Sequence, residues 1–352
     1  MKKFFFSGYV VLICVVFLSC NTSLKDKHSV PFVELFSNDV KLNEDSVLLK
    51  YPYRIVKEDS LLLIWDLHGN EHFFHAFNLI KSKTEYLFSF GTIGQGPEEL
   101  IACGGMDIQD GLLSVVETNK SILYTYPIEN LKRKITKPNR ILELPKELIP
   151  IVKFTDRGKD GEIVLDSKGE YRFILLNDKG EIESKLYNIP NEENKDLANP
   201  ILQQLWISCL DFNPKNNVLV IATVMGDVIE IYNLKNNKKN IVIGEQGEPN
   251  IKRDGRNLII RAAYGYQDVI VGDTEIYALY SKITHEEIDE ATKNGLSTPS
   301  GGNLINVLDF NGNIKKVFVL DRFINGFDID FNENTIYGVT SNSNTQLCVF
   351  KM

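Results

Sequence analysis

Leu210-Asp211-Phe212-Asn213-Pro214-Lys215-Asn216-Asn217-Val218 has a counterpart in Ile329-Asp330-Phe331-Asn332-Glu333-Asn334-Thr335-Ile336. Each places Asp-Phe-Asn ahead of a short polar turn and then an apolar run, the order expected of a strand, a tight turn and the next strand. The two copies lie 119 residues apart, which is room for two units of about 60 residues. Gly69, Gly180 and Gly312 each sit in a polar hairpin turn between apolar runs, at separations of 111 and 132. Ile93-Gly94-Gln95-Gly96-Pro97-Glu98 returns as Ile243-Gly244-Glu245-Gln246-Gly247-Glu248-Pro249, each time after an apolar run. Three independent echoes predict a repeat architecture.

From Val30 onward, short runs rich in Val, Ile, Leu, Tyr and Phe alternate with Asn, Gly and Asp; 60–65, 112–117, 218–223 and 335–339 are examples. Long helical periodicity is almost absent. A unit of this size holding four strands is a propeller blade, and a closed ring of blades leaves only short, protected sheet edges. The chain therefore reads as all-β, a six-bladed β-propeller with blades at about 53–95, 104–145, 150–190, 205–246, 264–320 and 324–352. The last has only three runs. An N-terminal strand, Phe32 to Phe36 or Val47 to Lys50, would complete it and tie the ring shut.

Of 352 residues, 43% are hydrophobic and 24% charged, which excludes a disordered chain. Thirty-nine basic against 47 acidic residues give a net charge of −8, which disfavours nucleic acid as a partner. Lys2 and Lys3 precede an apolar run from Phe4 to Leu18, the plan of a signal peptide. The run is too short for a comfortable membrane span. It ends in Phe17-Leu18-Ser19-Cys20, which resembles a bacterial lipobox. Residues 1–19 thus read as a lipoprotein signal peptide, Cys20 as the lipid attachment, 20–30 as a tether and 31–352 as the propeller domain. Loss of Lys2 and Lys3 leaves a charge of about −10. The expected address is the bacterial cell envelope, as an outer-membrane lipoprotein on the periplasmic or surface side. Cys103, Cys209 and Cys348 are too few and too dispersed for a disulfide framework. They read as buried thiols, with one disulfide and one free thiol as the alternative.

The lipobox-like start, Gly94-Gln95-Gly96-Pro97-Glu98-Glu99-Leu100 and the closing runs Asn334-Thr335-Ile336-Tyr337 and Leu347-Cys348-Val349-Phe350 resemble the TolB-like six-bladed propeller lipoproteins of Bacteroidetes, of the BF3164 type. The resemblance covers nearly the whole mature chain. It implies the fold and says little about activity, because such folds host many unrelated functions.

Candidate chemistry is sparse. His68-Gly69-Asn70-Glu71-His72 fits the H-x-x-E-H pattern of zinc peptidases, whose ligands must share one helix face. Gly69-Asn70 at its centre predicts a hairpin turn instead. Gly91-Thr92-Ile93-Gly94-Gln95-Gly96-Pro97 lacks the Lys-Ser/Thr of a phosphate loop and reads as a tight crossover between blades. No motif specifies a catalytic residue, a metal or another cofactor. Thr284 to Glu287 forms a capping box, so a helix is expected as an insertion in the fifth blade, stopped at Asn294-Gly295. Propeller geometry puts that insertion on the same end as the long segments 91–106, 189–206 and 244–265. On that end Trp206, Arg253, Arg256, Arg261 and Tyr264 are the candidate ligand-binding residues, since guanidinium and aromatic groups suit an anionic, glycan or peptide ligand. The expectation is a monomeric, lipid-anchored envelope propeller that binds a protein, peptide or carbohydrate partner without catalysis of its own. The alternative is an envelope glycan lyase or hydrolase with its site at the channel mouth.

Overall fold

In the computed structural model, residues 30–42, 47–80, 83–192, 197–254, 257–260 and 263–352 are described. The signal segment, Cys20 and the tether up to residue 29 lie outside the described residues. Two short strands come first, β1 (Phe32–Leu35) and β2 (Ser37–Val40). Blade 1 follows as β3 (Pro52–Glu58), β4 (Leu61–Asp66), β5 (His72–Ile80) and β6 (Lys83–Thr92). Blade 2 is β7 (Cys103–Gln109), β8 (Leu112–Glu117), β9 (Ile122–Pro127), the short helix α1 (Ile128–Lys132) and β10 (Arg140–Glu143). Blade 3 is β11 (Phe154–Asp156), β12 (Glu162–Leu165), β13 (Phe173–Leu176) and β14 (Ile182–Leu186). Helix α2 (Asn199–Leu205) leads into blade 4, which is β15 (Ser208–Asn213), β16 (Val218–Thr223), β17 (Val228–Asn233) and β18 (Lys238–Ile243). A separate hairpin, β19 (Ile251–Asp254) with β20 (Asn257–Ile260), precedes blade 5. That blade is β21 (Tyr266–Val271), β22 (Ile276–Tyr280), helix α3 (His285–Lys293), β23 (Gly302–Leu308) and β24 (Ile314–Ile324). Blade 6 is β25 (Gly326–Asp330), β26 (Thr335–Val339) and β27 (Leu347–Lys351), completed by β2.

The second strand of each blade is apolar at nearly every position because both of its faces are covered. In β4, Leu61, Leu63 and Trp65 pack toward blade 2, while Leu62 and Ile64 point the other way, toward blade 6. The same division recurs round the ring, so among the described residues one apolar cluster lies between each pair of neighbouring blades, with a smaller one beneath α2. Removing a side chain such as Leu63 from this packing costs about 2–5 kcal/mol.

Closure uses neither of the two segments that the sequence suggests. Ser37–Val40 is the strand that pairs with β27, antiparallel, with Ser37 opposite Phe350 and Val40 opposite Leu347. Phe32–Leu35 joins blade 5 instead, as a fifth strand running parallel to β24. The residues explain the switch. Leu35 enters the cluster between blades 5 and 6, and Val40 enters the one between blades 6 and 1. Asp321 meanwhile accepts hydrogen bonds from the Ser37 amide and hydroxyl where the chain steps from one blade to the next. One short segment therefore fastens the outer edges of both late blades.

Candidate functional site

Hairpin turns at one end of the ring are short, apart from the β9–β10 connection that carries α1. The opposite end carries the crossovers 93–102, 144–153, 187–207 and 244–265 and the α3 insertion between β22 and β23. Here the Thr284 capping box is present as expected, with Glu287 N–H donating to the Thr284 hydroxyl and the Glu287 carboxylate accepting from the Thr284 amide. Tyr264 ties crossover to insertion through its amide, which donates to the Ile283 carbonyl at 2.8 Å. Helix α2 was not expected. Pro200 in its first turn and Leu202, Leu205 and Trp206 at helical spacing are the signal that reveals it.

The crossover after blade 1 shows why its glycines are there. Glu99 folds back so that its carboxylate accepts the Gly96 amide at 2.7 Å, and a Cβ on Gly94 would fall 2.1 Å from the same carboxylate. Lys120 Nζ donates to the Gly96 and Glu99 carbonyls, both at 2.7 Å, and the Tyr124 hydroxyl donates to the Pro97 carbonyl. The loop's polar groups are thus spent on its own conformation. In the echo at 244–249 the acid comes from outside the loop, because Asp227 lies where a Gly244 Cβ would be.

His68 to Glu71 form the turn between β4 and β5, so no helix presents the two flanking imidazoles together. His75 is buried, with Nδ1 2.7 Å from the Ser89 hydroxyl, and burial pulls its pKa down to about 4.

Three of the five candidate ligand residues lie among the described residues. Tyr264 is partly exposed on the crossover face, and Arg253 lies in β19 opposite Leu258. Trp206 is 1% exposed and packs with Leu205 and Val228 beneath α2, so it supports this face from below rather than lining it. Arg256 and Arg261 lie outside the described residues.

The central channel holds a constellation that the sequence reading missed. It contains a cavity of about 290 Å³ lined by the inner strands, including Arg54, Asp107, Lys153, Asp211, Asp268 and Asp328. Four of these carboxylates perform one task. Asp107 accepts the Asp156 amide and the Thr155 hydroxyl, Asp211 the Val271 amide, Asp268 the Phe327 amide and Asp328 the Lys57 amide, at 2.6–3.1 Å. Each acceptor reaches from the inner strand of one blade to the inner strand of the next. Asp211, Asp268 and Asp328 are separated by 57 and 60 residues, one blade each, and Asp107 precedes Asp211 by 104. An acid inside an apolar strand at blade period is the signal that would have found them.

Burial dominates their titration. It pushes Asp211 up to about 8, helped by the nearby Asp107 carboxylate, and Asp328 up to about 6. Burial also raises Asp107 and Asp268, the latter against the opposing pull of Arg54. Behind the channel, burial and then Asp107 raise Asp156 to about 6, and burial and then Asp156 raise Glu162 to about 7. Burial pushes the Cys103 and Cys209 thiols to about 12, so neither is a thiolate nucleophile at neutral pH. All three described cysteines are free, which removes the disulfide alternative.

Toward the crossover end the channel changes sign. Arg54 Nε lies 3.1 Å from Asp268, and its terminal nitrogens donate to the carbonyls of Tyr53, Gln267 and Asn325. Lys153 donates to the Tyr53 hydroxyl at 3.1 Å and forms no ion pair among the described residues. Burial would raise the Tyr53 phenol, but Arg54 and Lys153 outweigh it and hold it below its ordinary value.

Solved structures share the architecture. A member of the DUF4221 family from Bacteroides vulgatus matches with a TM-score of 0.54 and 12% identity, over 90% of this chain and 97% of that one. A Bacteroides thetaiotaomicron protein of unknown function matches with a TM-score of 0.54 and 10% identity, over 89% of this chain and 72% of that one. A protein described as exported, from Bacteroides fragilis, gives 0.53 and 12%, over 92% and 99%. At these identities the likeness concerns the fold. No curated protein matches in sequence. The family described as TolB-like 6-blade propeller-like matches residues 32–332, and the chain belongs to that family.

Proposed function

We propose that this propeller is a lipid-anchored binding scaffold of the bacterial envelope, of the BF3164 lipoprotein type. It holds a protein, peptide or carbohydrate partner on its crossover face and has no catalysis of its own. The observation that carries this reading is the asymmetry of the ring. Long connections, two helices and an extra hairpin gather on one end, on a scaffold whose channel carboxylates are committed to holding blade to blade. Rigid scaffolds that present long loops are where binding concentrates. Leu296, Ile207, Ile201 and Ile101 add exposed apolar surface to that end, beside Tyr264. The sequence of that crossover, with Arg253, Arg256 and Arg261, is locally basic in an acidic chain. Export of a Bacteroides fragilis protein that shares this fold is in keeping with an envelope address.

Recovery of the intact lipoprotein from its own membranes, with identification of what it retains, tests the reading. Replacing 251–260 by a short Gly-Ser turn together with Tyr264→Ala should abolish retention and leave the melting temperature unchanged. Unchanged retention, or turnover of a glycan by the purified protein, overturns it. Cys20→Ala should abolish labelling by a fatty-acid probe and release the protein from membranes.

A further inference from the structure

The channel holds one cation that makes no direct ion pair among the described residues. Arg54 is fully occupied by Asp268, three carbonyls and the Tyr53 hydroxyl, and its pair with Asp268 is neutral. Lys153 lies on blade 3, just ahead of β11, and reaches toward blade 1. Its ammonium has three donors. One goes to the Tyr53 hydroxyl, and no carboxylate pairs with it among the described residues. Beside it, the indole N–H of Trp65 meets no acceptor, although Trp65 is 2% exposed and lines the same cavity. A buried donor left without a partner costs about 1–3 kcal/mol, so it calls for an explanation. The groups converge. Lys153 Nζ lies 4.9 Å from the Tyr53 ring centre and 5.9 Å from that of Trp65, and those two rings meet edge to face at 5.1 Å.

We propose that this corner of the channel is a binding site for a carboxylate, held by Lys153 Nζ, Tyr53 Oη and Trp65 Nε1, on a small ligand or chain end with an apolar body that enters from the crossover end.

The charge count selects the ligand class. One ammonium without a direct ion pair, beside two neutral donors, matches one negative charge. A phosphate dianion would bring a second charge toward Asp107, Asp211 and Asp328, which lie deeper. Their depth follows from what they bond. Asp107 takes the Asp156 amide, three residues further along the strand from Lys153, and Asp211 takes the amide of Val271, three residues beyond Asp268. The acids thus form a floor that repels excess negative charge, and Lys153 stands above it. Met106, Phe154, Leu210 and Ile270 give the cavity wall apolar stretches between its polar residues, among them Gln109, Lys57 and Glu58. A volume of about 290 Å³ suits one aromatic ring or a short aliphatic chain. The site is separate from the loop-face reading, and either can fail without the other.

The test is calorimetric titration of the soluble protein lacking residues 1–20 with benzoate and hexanoate, and with benzamide, benzylamine and phenyl phosphate as counterparts. Tryptophan fluorescence serves as a second readout. Benzoate or hexanoate should bind saturably and change the fluorescence, and the three counterparts should not. Lys153→Met should weaken binding about 10- to 100-fold, the effect of losing a charge-assisted hydrogen bond, while Lys153→Arg should retain most of it. Tyr53→Phe should weaken it less. A tripeptide with a free C-terminus, compared with its amide, distinguishes a chain end from a free acid as the source, and tighter binding of either acid form supports the site. No saturable binding of any carboxylate overturns the proposal, as does equal binding of benzamide and benzoate. The comparison of benzoate with benzamide uses the unaltered protein, so it stands even if the Lys153 variants do not fold.

Discussion

Asp211→Asn should make the protein progressively more stable than the wild type as pH rises. Asp211 has no cation partner, and its carboxyl titrates at about 8 in the folded protein against 3.8 for an unburdened aspartate. Because the folded value is raised, native structure holds the proton more tightly than the unfolded chain does. The stabilisation this provides is complete below pH ~4 and disappears as pH rises through about 8. At ~1.4 kcal/mol per pH unit the whole interval, from 3.8 to about 8, would amount to about 6 kcal/mol. Asp211 is only half-buried, so solvent screening is expected to leave about half of that. Asparagine keeps an acceptor for the Val271 amide, which Asp211 binds at 2.6 Å, and carries no charge at any pH. It also spares Asp107, whose carboxyl contributes to the raised value. The two proteins should melt together near pH 5, and the variant should melt higher by about 4–8 °C at pH 9. Thermal unfolding followed by circular dichroism from pH 4.5 to 9.5 measures this. Asp328, Asp156 and Glu162 remain in both proteins, so their titration cancels in the difference. A melting difference that does not change with pH, or a wild type that gains on the variant as pH rises, would refute the idea that Asp211 is a desolvated acceptor.

Three further outcomes are expected. Arg172 and Glu230 form an ion pair of 2.6 Å with 3% and 0% side-chain exposure, so Arg172→Met strands a buried carboxylate and should cost about 3–5 kcal/mol in urea unfolding. Arg172→Met with Glu230→Leu should recover most of that loss. A chain starting at residue 37 keeps β2 and forfeits mainly the burial of Leu35, about 1.5–3 kcal/mol. A chain starting at residue 41 opens blade 6 and should melt lower still and associate through the bare edge of β27 in size-exclusion chromatography. Burial raises the thiols of Cys103 and Cys209 to about 12 and that of Cys348 to about 11, so a chain starting after Cys20 should react slowly with Ellman's reagent when folded and show three thiols in guanidinium.

The ring was legible because its signal is periodic. Asp-Phe-Asn at 211 and 330 marks the last inner-strand residues and first turn of blades 4 and 6, and the strand-and-turn pattern between them reports the intervening blade. The capping box at Thr284 was equally clear, since N-terminal caps are local. Closure was harder to read. Ser37-Asn38-Asp39-Val40 is a poor strand by propensity, and it pairs because the edge of β27 and Asp321 await it. Tertiary context overrides composition at such a place. Trp206 shows the opposite error. A tryptophan near a long loop suggests a ligand platform, yet here it is the apolar pillar beneath α2. The channel site escaped for a different reason. Tyr53, Trp65 and Lys153 come from two blades, and the only cue to their meeting is that Lys153 interrupts an apolar approach to an inner strand.

The channel's charges divide between two tasks, and the division follows from hydrogen-bond supply. Inner strands of adjacent blades face each other across the channel wall without a shared ladder, so their amides need acceptors from elsewhere. An aspartate one blade back is short enough to reach and rigid enough to hold. Blades 2, 4, 5 and 6 each supply one, at Asp107, Asp211, Asp268 and Asp328. Blades 1 and 3 place Arg54 and Lys153 on the wall instead. Arg54 answers Asp268 and extends its guanidinium to backbone carbonyls of blades 5 and 6, which fastens the ring by donation rather than acceptance. Lys153 fastens nothing but Tyr53. Because Lys153 holds no blade to its neighbour by an ion pair among the described residues, a ligand carboxylate can be added there at no cost to closure.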